Sequence, residues 1–347
     1  MHELATSSVF LSRGAGRARH ARMIAAVARR LVDGADAETA IAALRETYTT
    51  TASLSTAMSL VRAAVLEAER VVDDAPLRAH ARHPEVAAFL ALPLREQYRL
   101  QREHARNPTW PPEAEAALAA LRLLPPNMDG FALTRRETLD LKRRREEAQL
   151  ARQEAPLVVA DAPRLLRAAT AMLASATAST SFPRLILPLL LVSGRRFAEV
   201  VNGRSSFTPT AHPYLCIFNG QLKKRGRAQP YTIPLLVPFA AFERALRVLR
   251  EKQGGAELAN GVAKDRYGAN AQCALADGVL VGLPSCHLHD LRSAYVALVD
   301  HVYQCPFTFN RLAMRILGHD CLTESLCYNH VKLAGGSRGS LGPLRLD

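Results

Sequence analysis

The chain lacks any apolar stretch long enough to span a bilayer: its longest, LILPLLLV at Leu185–Val192, falls far short of the ~20 residues such a span needs. No membrane association is therefore expected. A basic start followed by an apolar segment is also missing at the amino terminus, so no export signal is expected and the reading is cytoplasmic. The six cysteines (Cys216, Cys273, Cys286, Cys305, Cys321 and Cys327) form no C-x-x-C pair and no repeated spacing. That argues against a disulfide framework or a zinc site and fits reduced thiols. GAGRAR at Gly14–Arg19 is not read as a phosphate-binding loop, because no strand precedes it and a third glycine is missing. Negative charge is in deficit too: 45 Lys and Arg stand against 32 Asp and Glu, a net charge of +13. Such an excess suits a polyanionic partner, most simply nucleic acid, although basic totals also occur in proteins that bind none.

What is present divides the 347 residues into parts. After a polar, glycine-tipped start over residues 1–15, helical periodicity begins at Arg17, with Met23, Ile24, Val27 and Leu31 on one face. Further helices are expected over Asp36–Tyr48, Leu54–Val72, Pro84–His104 with a break near Pro93, and from Pro111 to Leu124. Residues 1–132 thus read as an α-helical domain, either a solvated amphipathic bundle or a DNA-clamping module. Residues 133–160 read as a basic linker helix opened by a capping box, Thr134 with Glu137. Its run Lys142, Arg143, Arg144, Arg145 covers more than a helical turn; it is either a solvated face or a contact to a phosphate backbone. Residues 161–333 read as a mixed α+β domain, and 334–347 as a flexible tail. The fold class expected is mainly α with a small β-sheet. The sheet comes from a hairpin in Tyr214–Pro238, whose turn carries Lys223, Lys224 and Arg225. Helices are expected over Phe239–Lys252, His287–His301, Thr308–Leu317 and Glu324–Lys332, the last bearing Tyr328. The polar stretch Gly254–Gly282 gives no clear pattern.

Five short stretches in the carboxy-terminal half carry chemistry in a fixed order: SGRRFAEV, NGQLKKRG, HLHDLRSAY, ILGHD and SLCYNHV. Splitting a phosphodiester requires a nucleophile, charge stabilisation on the non-bridging oxygens, and a proton for the leaving hydroxyl. Arginine suits the second task, since its planar fork holds two phosphate oxygens and keeps its charge. Arg196 and Arg292 fill that part, with Glu199 one helical turn beyond Arg196 to hold it. His289, one turn before Arg292, either donates to the phosphate or helps deprotonate the nucleophile. Lys223 is the candidate general acid, with Lys224 competing; His319 hydrogen-bonds a phosphate oxygen; Tyr328 attacks. No metal and no cofactor is called for. Each residue alone has a duller explanation. Tyr328 is then a half-buried aromatic, His319 a helix cap, Arg196 next to Arg195 surface charge, the lysines a solvated tip, and His289 and Arg292 partners of Asp290 or Asp300. The ordered set is much harder to dismiss.

That set resembles the catalytic domain of the tyrosine recombinase and integrase superfamily. The family carries a G-x-R-x-x-E box, a hairpin lysine, an H/K-x-x-R box, an LGH box and a tyrosine nine residues after its histidine. Arg196, Lys223 or Lys224, His289 with Arg292, His319 and Tyr328 match in turn. Within the superfamily GQLKK, LGHD and the approach to Tyr328 look like the protelomerases, or telomere resolvases. Arg292 is followed by Ser293 and Ala294 rather than the usual histidine and small hydroxyl residue, and several members have lysine where His289 stands. The resemblance implies a homodimer on double-stranded DNA with an inverted repeat, a 3′-phosphotyrosyl intermediate and covalently closed hairpin ends. It also implies a bacterial, phage or plasmid source. A tetrameric site-specific integrase, or a DNA-binding protein with this fold that does not cut, are the alternatives.

Overall fold

The structure, a computed structural model, describes residues 3–68, 72–105, 108–222, 229–254, 260–303, 305–319, 322–334 and 341. It divides into two compact units, Met1–Arg145 and Glu146–Asp347. Both are mainly helical, and the strands are short. No helix among the described residues is long and apolar enough to cross a membrane.

In the first unit, α1 (Glu3–Val32), α2 (Ala37–Thr47) and α3 (Thr51–Glu67) bury Leu31, Leu44, Leu54, Met58 and Val61 around Phe131. The ends are set locally. The Asp36 carboxylate accepts from the Thr39 N–H at 2.8 Å, and the Thr50 hydroxyl accepts from the Ser53 N–H at 3.2 Å. Helix α1 begins well before Arg17 and runs through Gly14 and Gly16: glycine costs a helix only about 1 kcal/mol per residue, which does not stop it. A second core gathers Leu77, Val86, Phe89, Leu118 and Leu123 from α4 (Ala75–Arg78), α5 (Pro84–Leu90), α7 (Pro112–Ala120) and the loop after it, with Leu94 and Tyr98 of α6 (Leu94–His104) packed against them. Pro93 separates α5 from α6, where the sequence signals a break.

Helix α8 (Arg135–Glu154) opens with the capping box: the Thr134 N–H donates to Glu137 at 2.9 Å, and the Glu137 N–H donates to the Thr134 hydroxyl at 3.2 Å. Arg45, 2.8 Å away, holds the Glu137 carboxyl down at about 2. No residue of α8 is buried, and Lys142–Arg145 are exposed.

The second unit is built round α10 (Phe182–Ser193), whose residues from Leu185 to Ser193 are all buried. Each buried leucine is worth roughly 1.5–3 kcal/mol, so this helix is a dominant stabilising element. Packed on it are α9 (Ala162–Ala174), α11 (Phe197–Val201), α12 (Phe239–Lys252), α13 (Asn260–Ala276) and α14 (Asp290–Val302). Strands β2 (Ser206–Pro209), β3 (Leu215–Asn219) and β4 (Tyr231–Pro234) form an antiparallel sheet, with Phe218 paired to Tyr231. Lys223, Lys224 and Arg225, in the β3–β4 connection, lie outside the described residues.

Two segments of the second unit also differ from the sequence reading. Gly254–Gly282, which gave no pattern, contains α13. The segment expected as a helix over Glu324–Lys332 is instead a 3₁₀ helix, Leu322–Tyr328, followed by strand β5 (Val331–Leu333). β5 pairs in parallel with β1 (Leu157–Val159), Leu157 opposite Val331. That partner is far away in sequence, and pairing with it overrides the local helical pattern. Between α14 and this segment lies α15 (Phe309–Leu317).

Candidate active site

Two glycines shape the site's frame. Gly194 ends α10 with φ 62°, and a Cβ there would run into the Tyr295 ring. Gly318 ends α15 with φ 65°, and a Cβ there would meet the Gln221 and Tyr231 side chains. Both positions need the left-handed conformation and the missing Cβ at once. They explain the glycines of the SGRRFAEV and ILGHD stretches without reference to chemistry.

Each turn then aims the residue that follows it. Arg196 caps α11 and pairs with Glu199 at 2.8 Å (Nη1 to Oε1), while the Glu199 Oε2 accepts from the Arg196 N–H at 2.8 Å. The Glu199 carboxylate also accepts from the Leu222 N–H at 3.0 Å, and the Leu222 carbonyl accepts from Arg196 Nη1 at 3.0 Å. Leu222 is the last described residue before Lys223, so Arg196 and Glu199 grip the root of the lysine-bearing turn. Gln221 donates from Nε2 to the Gly318 carbonyl, tying that root to the turn of His319.

Arg195 is the residue that sequence reasoning missed. It is 2% exposed. Its guanidinium donates to the Tyr231 hydroxyl, the Ile316 carbonyl and, at 3.1 Å, the Ser193 carbonyl. Its ring contacts with Phe218 and Tyr231 complete an aromatic enclosure. The G-x-R-x-x-E spacing singles out Arg196, and no local signal marks its neighbour Arg195 as buried.

Arg292, also 2% exposed, lies at the centre. It donates to the carbonyls of Gly194 and, at 3.0 Å, Leu317, and from Nε to the Tyr328 hydroxyl at 3.2 Å. Its Nη1 is 4.0 Å from Glu199 Oε2. Burial works against the Glu199 carboxylate, but Arg292, Arg195 and Arg196, in that order, outweigh it and hold its carboxyl below the usual range. Three guanidiniums surround one carboxylate, so the cluster keeps an excess of positive charge suited to an incoming anion.

Tyr328 is 3% exposed and its hydroxyl also lies 3.4 Å from His319 Nε2. His319 Nδ1 in turn is 3.4 Å from the Ser325 hydroxyl. Burial, then Arg292, Arg196 and Arg195, push the His319 imidazole down to about 3, so it is neutral around pH 7. The tyrosine hydroxyl accepts from Arg292, which always carries its protons, so its own proton is free to turn towards His319. His289, at the amino end of α14, is exposed, with its ring 6.1 Å from that of Tyr328. Asp290, offered by sequence as a partner of His289 or Arg292, pairs instead with His330 at 3.1 Å. Thus Arg196, Arg292, His319 and Tyr328 are joined through one network that includes Glu199, and His289 stands at its edge. Among the described residues no group of three or more His, Cys, Asp or Glu is placed to hold a metal ion.

The family model of the telomere resolvase ResT/TelK catalytic domain matches residues 156–330, from the residue before β1 to the residue before β5. The fold is shared with protelomerase TelA covalently complexed with substrate DNA, at 21% identity and a TM-score of 0.53 over 60% of this chain and 70% of that one. A TelA mutant complexed with DNA hairpin product aligns over 79% of this chain and 88% of that one, at 18% identity and a TM-score of 0.55. Protelomerase TelK complexed with substrate DNA aligns over 89% of this chain and 67% of that one, at 18% identity and a TM-score of 0.54. No curated protein matches the chain.

Proposed function

The chain belongs to the family of the telomere resolvase ResT/TelK catalytic domain, and on that footing we propose that it cuts and rejoins DNA through Tyr328, leaving covalently closed hairpin ends. The observation that carries the reading is the setting of the tyrosine hydroxyl, 3.2 Å from Arg292 Nε and 3.4 Å from His319 Nε2. In the cleavage step the Tyr328 oxygen bonds to the scissile phosphorus and its proton passes to the neutral His319. Separations of this kind tighten when substrate binds. The bond from phosphorus to the 5′ oxygen breaks, leaving a 3′-phosphotyrosyl link that conserves the bond energy.

Arg292 and Arg196 hold the non-bridging oxygens, whose charge grows in the transition state. His289, exposed at the start of α14, donates to the same phosphate. Lys223 protonates the departing 5′ oxygen, with Lys224 as its rival; both follow directly on Leu222, which Arg196 and Glu199 fix. Rejoining reverses these steps, with the 5′ hydroxyl of the opposite strand as the attacking group. Each chain carries one Tyr328, and closing a hairpin on both sides of a site breaks two strands. A homodimer on an inverted repeat meets that requirement. Lys142–Arg145 on α8, with Arg225, contribute phosphate contacts.

The test incubates the purified chain, with a chelator present, with DNA from its own replicon, and compares native with denaturing gels. Fragments whose strands snap back after denaturation are the expected product, and Tyr328→Phe should abolish them while DNA binding persists. Open-ended recombinants would indicate an integrase. Tight binding with no covalent or rejoined DNA would indicate a protein that does not cut, and loss of cleavage in the chelator would overturn metal independence.

A further inference from the structure

The proposed mechanism leaves the partly buried His330–Asp290 pair without a task. His330 follows the nucleophile by two residues and is 7% exposed. Its Nδ1 lies 2.8 Å from the Cys327 carbonyl oxygen and its Nε2 lies 3.1 Å from Asp290 Oδ1. A carbonyl oxygen accepts and cannot donate. The Asp290 carboxyl is held below its usual range, where burial is outweighed by the His330 bond and the His287 N–H, so it too only accepts. Both ring nitrogens therefore donate, and an imidazole with two N–H groups is an imidazolium.

The position of the pair matters as much as its charge. Asp290 is the first residue of α14, between His289 and Arg292. His330 lies between Tyr328 and β5, and its carbonyl accepts from the Leu157 N–H at 2.8 Å. One side chain thus closes the tyrosine turn on itself through Cys327 and fastens it to the helix that presents Arg292. We propose that the Asp290–His330 pair is a positioning clasp, which fastens the tyrosine turn to the first turn of α14 and so sets the Tyr328 hydroxyl against Arg292. The proposal rests on Tyr328 being the nucleophile. Neither residue touches the reacting atoms; both act through Tyr328.

A clasp built on an imidazolium has a pH limit. Asp290, ahead of the opposing burial, raises the His330 imidazole above its ordinary 6.5, with the Cys327 carbonyl helping and Arg152 opposing. The pair borders a cavity of about 540 Å³, lined also by Arg152 of α8, Cys286 and His287, so protons reach it. A raised value means that the clasp is complete below about 6.5 and is lost as pH rises through the higher folded value. Once a proton leaves, either the Asp290 or the Cys327 oxygen faces a bare nitrogen lone pair, and the turn loosens. His319, pushed down to about 3, does not titrate in this window.

The experiment follows two readouts across pH in the full chain, His330→Gln and Asp290→Asn. The first is the rate of covalent complex formation on a nicked DNA that traps the phosphotyrosyl link, with DNA binding measured alongside. The second, independent of cleavage, is the NMR titration of the His330 and Tyr328 ring resonances. The expected result is a His330 midpoint above 6.5, followed by Tyr328, lowered by Asp290→Asn and absent from the His330→Gln chain. The wild-type rate should exceed that of either variant by about tenfold near pH 6 and converge on it near pH 9, since a misplaced nucleophile loses rate without losing binding. A rate ratio constant with pH, or Tyr328 resonances indifferent to His330, would overturn the clasp. A wild-type chain that forms no covalent complex sinks the nucleophile reading, and the resonance titration still decides whether the pair holds the turn.

Discussion

Arginine is used in opposite ways at two places, one in each unit. In Met1–Arg145, Arg78, Arg95 and Arg99 pair with Asp74, Glu67, Glu96 and Glu103 while their side chains remain 51–64% exposed. Such pairs contribute about 0–1 kcal/mol each, because water and salt screen them and two long side chains must be immobilised. In Glu146–Asp347, Arg195 and Arg292 are buried with Glu199, and carbonyl oxygens from Ser193, Gly194, Ile316 and Leu317 take up their N–H groups. Charge placed there costs several kcal/mol per ion to desolvate, and is tolerated only because every partner is fixed in advance. The same residue type is solvated where it is cheap and rigid where it is costly. Only the second arrangement fixes its guanidiniums in one orientation.

The sharpest way to break this contrast is to remove the carboxylate at the centre. Glu199→Gln keeps the shape but leaves three guanidiniums without their counter-charge, two of them fully buried. We expect a loss of about 3–5 kcal/mol in stability by chemical denaturation, the penalty for breaking a buried pair. An exposed counterpart such as Glu96→Gln should cost less than about 1 kcal/mol. Equal costs for the two would erase the distinction. A smaller effect is expected at the turn of His319. Gly318→Ala places a Cβ against Gln221 and Tyr231 at a positive φ, and should cost about 1–3 kcal/mol while slowing covalent complex formation. A variant that cleaves and melts like the wild type would mean that the Gln221 tie does not position the lysine turn.

The contrast also explains what could be read from sequence. Arg196, Arg292, His319 and Tyr328 were legible because their spacing within short motifs survives any rearrangement of the rest, and the structure gathers them with Glu199 into one network. Arg195 was not, since the motif spacing points to Arg196 alone and the rings of Phe218 and Tyr231 that enclose its neighbour come from distant strands. The His330–Asp290 pair was equally hidden, because the two residues stand forty positions apart. Helices capped by Asp36, Thr50 and Thr134 were visible because the capping bond lies within four residues. The 3₁₀ segment of Tyr328 and strand β5 were not, because β5 depends on β1 at the far end of the unit.

The smallest effect on stability should come from α8, where the contrast is most easily sharpened. Arg144 and Arg145 are exposed on a helix with no buried residue. Replacing both with alanine removes no packing and should change stability by no more than about 0.5 kcal/mol per site. If they meet DNA phosphates, the slope of log affinity against log salt should become shallower by about 0.9 for each phosphate no longer neutralised. The cleavage rate at saturating DNA should not change, because neither residue belongs to the network around Tyr328. An unchanged slope would make Lys142–Arg145 a solvated face only. A lowered rate at saturation would mean that α8 acts on the chemistry itself, and the division between binding charge outside and catalytic charge inside would fail.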